Sequence, residues 1–127
     1  MRTNTKVLLA IIVLLTLLLG WSFVGDAAKL VRIAFAEEQT QIFEGMREKA
    51  RDALNEDPPD VQSAVISLQY AYYYYPSGTK QAKGSKLDRV VERARDSCAR
   101  EIISMLRVST GEDLGDSPEP WIERYGQ

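Results

Sequence analysis

The sequence has no histidine and a single cysteine, Cys98. Without histidine the chain lacks the usual general base, the commonest metal ligand and the partner that activates a serine or cysteine nucleophile. Proton transfer would fall to carboxylates, lysine or tyrosine. One cysteine allows no internal disulfide, so the fold must hold by packing. Cys98 lies on the apolar stripe of a predicted helix, where a core role is expected; in an oxidising compartment the alternative is an intermolecular disulfide. A positive balance is also missing. Beyond residue 25, fourteen basic residues face eighteen acidic ones, a net charge of −4, which argues against nucleic acid as a partner. No residues form a recognisable catalytic, cofactor-binding or metal-binding set.

What the sequence does contain is one long apolar run. Val7 to Val24 is eighteen residues without a charge, with only Thr16 and Ser22 polar. As a helix it would span about 27 Å, close to the ~30 Å hydrocarbon core of a bilayer. Arg2 and Lys6 followed by apolar residues also open a secretory signal, and cuts after Ser22 or Ala27 would follow small residues, but neither site has the A-x-A form. Trp21 and Phe23 extend the run and suit an interface, and the chain past Gly25 can continue as helix. The expectation is an uncleaved single-pass anchor over residues 1–25, with secretion after cleavage as the alternative. Arg2 and Lys6 put the N-terminus in the cytoplasm and residues 26–127 on the far side, in a bacterium the periplasm.

Residues 26–127 suffice for one small domain. The whole chain reads as all-α: a transmembrane helix, then an antiparallel bundle of about three helices, then a short C-terminal helix. Asp26 to Asn55 is expected to be helical, with Ile42, Met46, Ala50, Ala53 and Leu54 as its apolar stripe and a break near Glu37 to Gly45. Asp57 can cap a second helix with Pro58 at its first position, running to about Tyr75, where Pro76 stops it. Its inner face would hold Val61, Ala64, Val65, Leu68, Tyr72 and Tyr75. The loop 76–85 is rich in glycine, serine and lysine; its Gly78, Gly84, Ser85 and Lys86 have the wrong spacing and order for a phosphate-binding loop. Ser85 to Val108 is the clearest amphipathic helix, with Leu87, Val90, Val91, Ala94, Cys98, Ile102, Met105 and Leu106 inside and Asp96 paired to Arg100.

The tail 109–127 begins with Gly111 as a helix stop. Ser117 can cap a last helix with Pro118 at its first position, and Trp121 would fasten it to the bundle. Thr110-Gly111-Glu112-Asp113-Leu114-Gly115, continuing through Pro118 to Trp121, resembles the tail that closes some bacterial HEAT-like helical-repeat proteins. That resemblance implies a structural end-cap and no activity. Leu54 to Pro58, after Ala50 and Ala53, is similar to the second-helix end of a tetratricopeptide repeat, but the unit does not recur at the ~34-residue period.

Charge is unevenly placed. Residues 37–60 carry eight acids and three bases, residues 80–107 eight bases and four acids, and residues 112–127 five acids and one base. The simplest expectation is intramolecular, a basic element between two acidic ones. The tyrosines at 70 and 72–75 cannot all point inward from one helix. Tyr70, Tyr73 and Tyr74, with Lys80, Lys83 and Lys86 of the adjoining loop and with Trp121, are the candidate ligand or partner contacts. The expected function is a membrane-tethered helical interaction module of the cell envelope, without catalysis, that binds another envelope protein. The alternative is an exported domain binding a glycan, peptide or other small ligand through the tyrosines and the lysine loop. A hydrolase built on Glu112, Asp113 and Asp116 is the weakest of the three, because no second carboxylate set opposes them. Nothing in the sequence indicates a homo-oligomer.

Overall fold

The computed structural model describes residues 2–74 and 81–127. The expected helix end at Tyr75, the stop at Pro76 and much of the loop 76–85 fall outside them. The described residues are all-helical: α1 (Arg2–Leu54), α2 (Val61–Tyr74), α3 (Lys86–Thr110) and α4 (Pro118–Tyr125), with no strand among them. The chain divides into two compact units, Met1–Ala34 and Phe35–Gln127.

The first unit is the N-terminal part of α1. Its large apolar side chains from Val7 to Val24 are exposed, as are Leu30, Val31 and Ile33. It is long and apolar enough to cross a membrane, and by length and composition would equally serve as a signal sequence.

In the second unit, α1 continues to Leu54 without the expected break; Gly45 lies within it, with open space where a Cβ would stand. One interior glycine costs only ~1 kcal/mol, less than burying Phe43 contributes. The buried stripe keeps Ala50 and Ala53 of the expected one, with Met46 and Leu54 packed against the core, and differs from it at its start. Ala36, Gln39, Phe43, Ala50 and Ala53 are buried, while Ile42, Met46 and Leu54 are half-buried. The stripe therefore starts earlier, at Ala36 and Gln39, and Phe43 takes the place of Ile42 in it.

The second helix begins later than Asp57 and Pro58 suggested. Asp60 caps it, its carboxylate accepting the Ser63 N–H at 3.0 Å and the Ser63 hydroxyl at 2.6 Å. These bonds hold the Asp60 carboxyl below its ordinary value. Ala64, Val65, Leu68 and Ala71 fill the inner face, and Tyr72 is half-buried. α2 runs antiparallel to α1: Asp60 N–H meets the Ala53 carbonyl at 2.9 Å, and at the other end Tyr74 sets its ring edge-on to Phe43 at 6.2 Å.

α3 has strong signals at both ends. Ser85 accepts the Asp88 N–H at 3.2 Å and Asp88 accepts the Gly84 N–H at 2.9 Å, a reciprocal cap. At the far end Gly111 takes φ 71°, a left-handed conformation that a glycine adopts freely, and returns its N–H to the Arg107 carbonyl at 2.9 Å. Val91, Cys98, Ile102 and Leu106 are buried as expected, with Ala99 and Ile103 added. Val90 is not; it is 48% exposed. The expected Asp96–Arg100 pair is absent, because Asp96 is taken by Arg95 at 3.1 Å. α3 lies parallel to α1. The Cys98 thiol donates to the Phe43 carbonyl at 3.2 Å, and Arg47 Nε stands 2.8 Å from Glu101 Oε2, close enough for an ion pair but off the line of a hydrogen bond.

Trp121 closes the bundle. It is fully buried, donates its indole N–H to the Gly115 carbonyl at 3.0 Å and stacks on Tyr125. The turn that presents this carbonyl needs glycine, since Gly115 has φ 93°. Ser117 does not cap α4 with its side chain; the hydroxyl donates to Glu119 at 2.5 Å instead. The C-terminal Gln127 carbonyl accepts from Gln62 of α2.

Candidate functional site

The outward face of α2 carries three of the large apolar side chains exposed on the second unit. At helical spacing, Ile66, Tyr70 and Tyr73 share that face and are each about half exposed. Tyr70 stacks on Tyr74 with ring centroids 5.6 Å apart, and Tyr74 leans on buried Phe43, so the pair is braced from the core. Ile66, Gln69, Tyr70, Tyr73 and Tyr74 line a shallow groove of about 350 Å3. Below it, toward the α1–α2 turn, Met46, Lys49 and Ser67 continue the depression, which ends among Asp52, Glu56 and Asp60. The trough is thus aromatic at one end and acidic at the other.

The candidate contacts do not all converge here. Tyr70, Tyr73 and Tyr74 do. Lys83 and Lys86 are exposed and do not line the groove, and Lys80 lies outside the described residues. Trp121 is buried under the tail and offers no surface. Ile66 and Gln69 were not among the expected contacts; Ile66 stands four residues before Tyr70 and Gln69 four before Tyr73, and that spacing was the available signal. Tyr72, the fourth aromatic, turns the other way. Its ring lies under the Arg95 guanidinium at 5.5 Å, and the nearby Glu119 carboxylate, with burial, raises its phenol above the ordinary value.

A second depression, of about 450 Å3, lies between the C-terminal ends of α1 and α3, with Arg51, Leu54, Met105 and Val108 in its wall. Among the described residues no three metal-ligating side chains converge. The tail carboxylates are engaged structurally. Asp113 and Asp116 take Arg107 at 2.9 and 2.6 Å, and Glu112 accepts the Tyr125 hydroxyl at 2.6 Å. The Gly115 N–H and then Arg107 hold Asp113 below its ordinary value, while the bond to Glu112 raises Tyr125.

Comparison with known proteins finds no family model, no characterised protein and no solved structure that matches this chain.

Proposed function

We propose that this protein is a membrane-tethered helical interaction module of the cell envelope, single-pass and without catalytic activity. The observation that carries the reading is the separation of surfaces. One unit exposes an uninterrupted apolar helix surface from Val7 to Val24, and the other buries its own core and closes it with Trp121. An exposed run of that length has no stable place in water, whereas a bilayer satisfies it. Thr16, the polar residue near its middle, already donates to the Ile12 carbonyl at 2.8 Å and brings no unsatisfied hydroxyl into lipid. The tail from Thr110 to Trp121 acts as the structural end-cap that its resemblance implies. With Arg2 and Lys6 on the cytoplasmic side, residues 35–127 face outward, in a bacterium the periplasm, toward another envelope protein. Protease added to intact spheroplasts tests the topology: loss of residues 35–127 with retention of the N-terminal helix supports it, and full protection until the membrane is broken contradicts it.

The groove on α2 favours a second reading, an exported domain that binds a glycan or peptide on Tyr70, Tyr73 and Tyr74. Titration of labelled oligosaccharides and peptides against the parent protein and Tyr73→Ala separates the two. A response in the parent that the variant lacks would favour the exported binder.

A further inference from the structure

The expected pairing of basic and acidic blocks inside one molecule is mostly unmade. Lys86, Arg89, Arg93 and Arg100 of α3 are exposed and make no ion pair among the described residues. Glu37, Glu44 and Glu48 of α1 are exposed and equally unpaired. Each set forms a stripe. At ~100° per residue the four cations fall within an arc of about 60° on α3 over ~21 Å, and the three acids within about 40° on α1 over ~17 Å. Like charges three and four residues apart on one helix repel, so each stripe works against its own helix while it lacks a counter-charge.

The placement of the two stripes is what makes them complementary. Paired positions across the α1–α3 seam, Phe43 with Cys98 and Arg47 with Glu101, fix the helices as parallel with an offset of 54 or 55 residues. From that seam the acidic stripe is rotated by roughly 100° on α1 and the basic stripe by roughly 120° on α3, in opposite senses. On two parallel helices opposite senses bring the acidic stripe and Lys86, Arg89 and Arg93 to one side, while Arg100 also borders a depression that it shares with Tyr72 of α2 and with Asp116 to Pro118. One face of the bundle is therefore acidic along α1 and basic along α3, with Arg47–Glu101 between them.

We infer that this face binds a second copy of the chain, in a closed symmetric pair. A twofold axis parallel to the helices sets each copy's α3 opposite the other's α1, so acid meets base on both halves of the interface. With the observed offset, Arg93 comes level with Glu37 and Arg100 with Glu44 and Glu48, whereas Lys86 and Arg89 come level with residues 31–35, which carry no acid. Exposed Val90 lies over the seam and gives the pair an apolar contact. The interface is mainly polar, so the pair is salt-sensitive and benefits from the concentration a membrane imposes. The inference goes beyond the tether reading and does not rest on it, because every residue involved belongs to 35–127.

The test uses the full chain in non-ionic detergent micelles, as two populations labelled with donor and acceptor on a C-terminal tag. Energy transfer is expected at low salt, with pairing weakened at least about tenfold between 50 and 500 mM NaCl. The charge-reversed variants R89E/R93E and E37K/E44K/E48K should each fail to self-pair while retaining the parent's helical circular dichroism. Mixed together they should restore transfer in a 1:1 complex, since reversal on both partners recreates both halves of the face. No transfer in the parent at any salt would overturn the inference. So would reversal variants that pair as the parent does, a silent mixture, or a ladder of larger assemblies. A parent that stays monomeric but is retained by phosphatidylglycerol vesicles would assign the basic stripe to an anionic surface instead and equally overturn it.

Discussion

The Cys98 thiol is fully buried and donates to the Phe43 carbonyl, and burial pushes its pKa up to about 11. In the unfolded chain it titrates near 9.0. A raised folded value means that its contribution is complete below the unfolded value and is lost as pH climbs toward the folded one. Urea unfolding of the intact protein is therefore expected to show stability falling between about pH 9 and 11 more steeply in the parent than in Cys98→Ala. Equal slopes would mean the thiol ionises freely in the folded state. Gln39 is the converse case. It is 1% exposed and neither amide atom has a partner among the described residues. Gln39→Leu should stabilise the fold by about 1 kcal/mol in the same assay, because an unmet buried amide is costlier than an apolar group of similar size. Cys98 was legible in the sequence because it kept the period of α3. Gln39 was not, because its position shows only in the phase of α1, and a polar side chain among Glu37, Glu38 and Thr40 gives no inward signal.

At the scale of elements, α3 was the most legible because everything in it agrees: Ser85 and Asp88 at one end, Gly111 at the other and a steady apolar period between. The start of α2 was misplaced by several residues, since two candidate caps, Asp57 and Asp60, precede it and only Asp60 reaches an amide at the right offset. On α1 the miss was Phe43 for Ile42: the two are adjacent apolar residues, and periodicity alone does not choose between them. The closing turn depends on one side chain. Trp121→Ala removes a fully buried indole and its bond to Gly115, and should cost about 3–5 kcal/mol. Chemical unfolding measures this directly, and limited proteolysis should then cut first within residues 111–120. A loss below ~1 kcal/mol would mean that the tail is not part of the cooperative unit.

For the molecule as a whole, architecture was more legible than use. Charge-free length from Val7 to Val24 and the amphipathic period of α3 are one-dimensional properties, so an apolar N-terminal helix and an all-helical second unit could be read directly. The candidate site could not, because it depends on which side of α2 stays uncovered. That choice groups Ile66 and Gln69 with Tyr70, Tyr73 and Tyr74, and leaves Lys83, Lys86 and Trp121 elsewhere. The same holds for the charge stripes. Their residues are visible in the sequence, but their common side depends on α1 and α3 being parallel, which emerges only from the Phe43–Cys98 and Arg47–Glu101 contacts. The tether is the claim on which the functional reading stands. It is tested most directly by the intact mass of the protein recovered from alkali-washed membranes. The full 127-residue chain in the membrane pellet is the expected result, and a shorter chain beginning near Phe23 or Ala28 in the soluble fraction would contradict it.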